Sequence, residues 1–212
     1  MIAIVDYQAG NQTSVRRALS FLGAPSQVTD DPKALRKAIG VIFPGVGAAG
    51  QAMERLNSTG LGQEIASLAR ANRPFLGICL GCQIMLESSE ENDAKTLGVL
   101  PGRVVRFDPT ALDADGRPIR VPHMGWNEVR LLAPSPLWAG IGPRDQFYFV
   151  HSYYPDPRPD LTLGVTEHGR EFASFFGRDG LWAVQFHPEK SGPPGLRLLK
   201  NFHDFCVKAA NP

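Results

Sequence analysis

Three short apolar runs punctuate the first eighty residues, at 2–6, 41–43 and 75–78, and 27–29 reads as a further short strand. An uninterrupted apolar run of this length marks a strand buried on both faces, and such strands belong to parallel sheets. Parallel neighbours need long crossovers, normally helices, and the intervening segments have the right pattern. From about Asn11 the residues Val15, Ala18, Leu19 and Leu22 form one stripe, with Gly23 as the stop. Asp31-Pro32 opens a second helix with a cap and a first-turn proline. Two more helical stretches lead to Pro74.

The pattern changes in the second half. Residues 99–107, 121–132, 146–150, 161–166, 172–176 and 181–185 read as strands joined by segments rich in Gly, Pro and Asp. A last helix begins near residue 195, with Leu198, Phe202, Phe205 and Cys206 on one face. The expected fold is α/β: a mixed, mainly parallel central sheet with flanking helices, plus an antiparallel strand region in the C-terminal half. Without a repeat or linker, residues 1–212 are expected to form one domain.

Composition removes several classes of function. Twenty-two Lys and Arg stand against 21 Asp and Glu, with no basic run, which argues against nucleic acid. No apolar run approaches the ~20 residues of a membrane span, and Met1-Ile2-Ala3-Ile4-Val5-Asp6 lacks the flank of a signal peptide. Three cysteines are too few for a disulfide scaffold. The expectation is a cytoplasmic protein.

Gly77-Ile78-Cys79-Leu80-Gly81 lies where an apolar strand should turn into a helix. That is the pattern of a nucleophile elbow with Cys in place of Ser. The helix start favours the thiolate. By itself the spacing is also that of a buried cysteine in a tight turn. His187-Pro188-Glu189 follows the apolar strand Leu181-Trp182-Ala183-Val184-Gln185-Phe186. Proline keeps His187 extended, so His187 and Glu189 project to one side. The carboxylate then holds the imidazole in the tautomer that accepts a thiol proton. Chance supplies a His-Pro-Glu in roughly 2% of chains of this composition.

Together these residues resemble the class I (triad) glutamine amidotransferases over essentially the whole chain. Among them the likeness is greatest to the glutaminase subunits of imidazole glycerol phosphate synthases. It is carried by Asp6-Tyr7 with Gly10-Asn11, Pro44-Gly45-Val46-Gly47, His123-Met124-Gly125-Trp126-Asn127, and Tyr148-Phe149-Val150-His151-Ser152-Tyr153-Tyr154. The chain departs from the family at Cys82, where Met is commoner, at Gln8 for Gly, and at Ser191-Gly192 after Lys190.

The resemblance implies a flavodoxin-like core and glutamine hydrolysis through the triad Cys79, His187 and Glu189. It implies an oxyanion hole from Leu80 and the Val46-Gly47 loop, and glutamine held by Gln83, Glu91, Ser152 and Tyr153. It also implies no cofactor, and a heterodimer with a (β/α)8-barrel cyclase docked at Met124, Trp126, Asn127 and Tyr148. The cyclase would use the ammonia to make imidazole glycerol phosphate and AICAR in histidine biosynthesis.

Three other readings compete. A glutaminase serving another synthase shares the triad. Cys79-Leu80-Gly81-Cys82 is also the spacing of a redox pair, but that leaves His187-Pro188-Glu189 without a use. A binding module leaves the whole triad without one. No Cys/His spacing matches a structural zinc site, so no metal is expected.

Overall fold

The structure is a computed structural model describing residues 1–8, 11–71, 73–113 and 115–211; Gly10 lies outside the described residues. The first half alternates as its apolar runs require. β1 (Ile2–Val5), α1 (Gln12–Phe21), β2 (Ser26–Thr29), α2 (Pro32–Lys37) and β3 (Gly40–Gly45) come first. Helices α3 (Ala49–Thr59) and α4 (Leu61–Arg70) then lead to β4 (Phe75–Cys79) and α5 (Leu80–Ile84). Short strands β5 (Ser88–Ser89) and β6 (Ala94–Lys95) precede β7 (Gly102–Arg106), β8 (His123–Glu128) and β9 (Arg130–Leu131). Strands β10 (Gln146–His151), β11 (Tyr153–Pro157), β12 (Thr162–Glu167), β13 (Glu171–Arg178) and β14 (Leu181–Val184) lead to α6 (Gly192–Ala210).

The main sheet runs β2-β1-β3-β4-β14-β13-β12-β9. Its first five strands are mutually parallel and the last three pair antiparallel. The α/β expectation, with antiparallel strands in the C-terminal half, is met. Successive side chains alternate between two buried faces. Ala3, Val5, Val41 and Phe43 pack with α3 and α4 on one side. Ile2, Ile4, Ile42, Leu76 and Val184 pack with α1 and α6 on the other. Fully buried rings such as Phe43, Phe75 and Phe175 each stabilise the sheet by about 1.5–3 kcal/mol.

Helix ends follow local chemistry. The Asp31 carboxylate accepts from the Lys33 N–H at 2.9 Å, capping α2, with Pro32 at its first position. α1 has no side-chain cap, because the amide of Asn11 at its start reaches Glu189 instead.

Some boundaries differ from expectation. The expected strand at 121–132 divides into β8 and β9, which join different sheets. Val129 is buried between them while Met124 and Trp126 stay exposed, so one flat strand could not serve both. The helix after Cys79 is only five residues long. β5, β6 and β11 were not expected; they join β7 in a second sheet, β11-β7-β5-β6. β11 begins immediately after the turn at Ser152.

Candidate active site

Cys79 ends β4 with φ 52° and ψ −115°, a left-handed conformation that costs a non-glycine residue energy. Its flanking glycines are required by close approach. A Cβ on Gly81 would sit 1.9 Å from the Phe43 carbonyl oxygen, and one on Gly77 would sit 3.0 Å from the Cys82 Cα. The Gly45-to-Cys79 register of β3 and β4 brings the Pro44-Gly45-Val46-Gly47 loop against this bend. The elbow expected from sequence is present.

The parallel pairing of β14 with β4 brings the segment that follows β14 beside the thiol. His187 is fully buried, and its Nδ1 donates to Glu189 Oε1 at 2.8 Å. The same Glu189 oxygen accepts from Asn11 Nδ2 at 2.7 Å. In the neutral ring, with its proton on Nδ1, Nε2 is the free acceptor; it is buried and has no hydrogen-bond partner among the described residues. Burial pushes the ring towards neutrality, yet the charge of Cys79 and the Glu189 carboxylate outweigh it and lift His187 to about 10. Glu189 and Cys79 thus both favour a proton on His187.

A cavity of about 350 Å³ opens over this pair. Val46, Gly47, Leu80, Gln83, Glu91, Ser152 and Tyr153 all line it together with Cys79 and His187. Glu189 stands behind the imidazole. Gln83 is nearly buried, and its Nε2 donates at 2.8 Å both to the Tyr153 carbonyl and to Gln185 Oε1. Its Oε1 is left as the uncommitted polar atom. Glu91 Oε2 accepts from the Ala49 N–H at 2.8 Å, so it also caps α3.

Met124, Trp126, Asn127 and Tyr148 lie apart from the cavity, on the two-stranded sheet β10-β8. Met124 and Trp126 are 63% and 54% exposed, and the Trp126 ring meets Tyr148 edge-on with centroids 6.0 Å apart. Asn127 instead turns its amide towards His123 and the Glu167 carbonyl.

Sequence reasoning missed two site residues. Asn11 is one; no local pattern pairs it with a residue 178 positions away. Gln185 is the other: fully buried, it donates from Nε2 to the Cys79 sulfur at 3.8 Å. A glutamine within an otherwise apolar run was the available signal. Among the described residues no group of His, Cys, Asp and Glu could hold a metal ion, and no helix is long and apolar enough to cross a membrane.

Comparison with known proteins gives this geometry a family. The family model for class-I glutamine amidotransferases matches residues 3–205. The imidazole glycerol phosphate synthase subunit HisH of Desulfovibrio desulfuricans is 60% identical over 97% of this chain and 95% of its own. The subunit HisH of Nitrosomonas europaea is 45% identical, covering 95% of this chain and 96% of its own. A solved structure of a glutamine amidotransferase from Thermotoga maritima superposes with a TM-score of 0.63. It is 16% identical over 100% of this chain and 85% of its own, a likeness of fold. The chain belongs to the class-I glutamine amidotransferases, in the family of imidazole glycerol phosphate synthase subunits HisH.

Proposed function

We propose that the chain, as one domain spanning residues 1–212, is the glutaminase subunit of a cytoplasmic imidazole glycerol phosphate synthase. Cys79 Sγ, its proton passed to His187 Nε2, attacks the side-chain amide carbon of glutamine. The tetrahedral intermediate collapses as His187 returns that proton to the departing nitrogen, releasing ammonia and leaving a γ-glutamyl thioester. Water, deprotonated by His187, cleaves the thioester to glutamate and restores the thiol. Leu80 and the Val46-Gly47 loop supply N–H donors to the oxyanion, each such donor contributing about 10²–10³ in rate. Gln83, Glu91, Ser152 and Tyr153 hold the substrate.

The observation that carries the reading is the buried Nε2 of His187, without another partner among the described residues and oriented through Glu189 at 2.8 Å in the cavity that contains Cys79. The partner is a (β/α)8-barrel cyclase, docked on the exposed Met124 and Trp126 with Asn127 and Tyr148. It consumes the ammonia in making imidazole glycerol phosphate and AICAR for histidine biosynthesis. The reading draws on the names of the relatives and on an exposed apolar pair on the β10-β8 sheet.

The test is Cys79→Ala in the assembled synthase. Glutamine-dependent product formation is expected to vanish while the reaction driven by added ammonium salt at high pH continues. Retained glutamine-dependent turnover would remove Cys79 as the nucleophile.

A further inference from the structure

We propose that His123 and His151 are positioning residues. Through hydrogen bonds that converge on the Tyr153 carbonyl they fix the acceptor that orients Gln83 and, through it, Gln185, and so hold an amide N–H on the Cys79 sulfur. Every proton in the chain can be assigned from its ends. The Tyr153 carbonyl can only accept, so His151 Nδ1, 2.8 Å away, carries a hydrogen. Both rings are buried and neutral: burial and then the charge of His123 hold His151 well below the usual imidazole value, and burial and then His168 hold His123 down to about 3. His151 Nε2 is therefore bare and accepts from His123 Nδ1 at 3.1 Å. His123 Nε2 is bare in turn and accepts from Asn127 Nδ2 at 3.2 Å.

The far end is fixed independently. Asn127 spends its second amide hydrogen on the Glu167 carbonyl at 2.9 Å, and its Oδ1 accepts from the Glu128 N–H at 2.8 Å, so the amide cannot be turned over. At the inner end the Tyr153 carbonyl accepts from both His151 and Gln83. Gln83 passes its second hydrogen to Gln185 Oε1, which leaves Gln185 Nε2 to donate to Cys79 Sγ. Cys82 Sγ lies 3.9 Å from Gln185 Oε1 and reinforces that orientation. One proton arrangement thus satisfies each link from β8 to the sulfur. Reversing any member sets donor against donor or acceptor against acceptor in a buried site, where unmade hydrogen bonds are costly.

The proposal rests on Cys79 being the nucleophile, but its test reads the donors directly and does not depend on glutamine being the substrate. In the imidazole ¹⁵N spectrum of the full chain, His123 and His151 should both carry their proton on Nδ1, without titrating between about pH 5 and 9. Cys79 alkylation by iodoacetamide, read by peptide mass across pH, supplies the second arm. The groups facing Cys79 are His187, Tyr7 and Cys82, with Glu91, His151 and Lys190 on the same cavity wall, and all are kept. Gln185→Met should move the profile up by about one pH unit, a tenfold change in ionisation. His123→Leu should move it the same way by less. His123→Asn, which keeps a donor in the place of Nδ1, should stay with wild type. An Nε2–H tautomer in either ring overturns the proposal. So does a His123→Leu profile that superposes on wild type while its thermal midpoint falls, since the pair would then be structural only.

Discussion

The backbone N–H of His187 donates to the carbonyl of Tyr148 at 2.9 Å. His187 thus hangs from β10, the strand whose partner β8 carries the exposed Trp126. Ser191 doubles the tie. Its Oγ donates to the His187 carbonyl at 2.6 Å and accepts from the Tyr148 N–H at 3.0 Å, and the residue is fully buried. Ser191→Ala leaves the half-buried Tyr148 N–H without this partner and takes from the His187 carbonyl one of its two donors, the other being the Lys190 N–H at 3.0 Å. The expected cost is about 1–3 kcal/mol, with a loss of glutamine turnover in the assembled synthase. Urea unfolding with the steady-state assay checks both; an unchanged midpoint would show that the bridge contributes nothing.

Cysteine reactivity should divide sharply. Cys79 lines the cavity at 7% exposure, whereas Cys82 and Cys206 are wholly buried. Burial and then the charge of Cys79 hold the Cys82 thiol well up, and burial lifts Cys206 to about 12. Only a thiolate alkylates readily. One equivalent of iodoacetamide should react with the native chain, at Cys79, and all of the cysteines after denaturation. Labelling of Cys82 in the native chain would contradict the inward packing of its side chain.

Stability should fall on both sides of a maximum near pH 6.5. His187 is raised from 6.5 to about 10, so its charged form is favoured by folding. Its contribution is whole below pH 6.5 and is lost as pH rises through about 10. His123 is lowered to about 3. Its contribution is whole above pH 6.5 and is lost as pH falls towards 3, because the unfolded chain binds the proton first. Denaturant titrations at several pH values should therefore give a shallower alkaline limb in His187→Gln and a shallower acid limb in His123→Asn. Parallel curves for wild type and either variant would disprove the corresponding assignment.

How far the sequence could be read follows from the range of each signal. Ile2, Val41 and Phe75 announce buried strands because apolar runs report burial directly, and the sheet order then brings Cys79 beside the segment that follows β14. The Cys79 elbow and the His187–Glu189 pair are also local, each legible within about five residues. Gln185 and the His123–His151 pair are different. Their partners lie 28 to 106 positions away, and no periodicity encodes such meetings. β11 was hidden for a related reason. Pro155 and Pro157 disguise it, and its place is set by pairing with β7.

Asn11 offers the sharpest test of the triad's support. It sits at φ 100° at the start of α1, and its Nδ2 reaches Glu189 Oε1 at 2.7 Å. The same nitrogen lies 3.3 Å from His187 Nδ1, but both atoms are donors, so the carboxylate oxygen between them is what holds them together. Asn11→Ala removes one of two donors to a buried carboxylate. A hydrogen bond to a charged group contributes about 1.5–3 kcal/mol, so glutaminase kcat/KM should fall about tenfold as the imidazole loses its fixed orientation. Asn11→Asp keeps the shape but sets a second carboxylate against Glu189, where like charges disfavour ionisation. That variant should be worse than alanine at about pH 8 and should recover towards it at lower pH, as one carboxyl takes up a proton and becomes a donor. Equal activity of the two variants at that pH would mean that the amide of Asn11 fills space and does not hold Glu189.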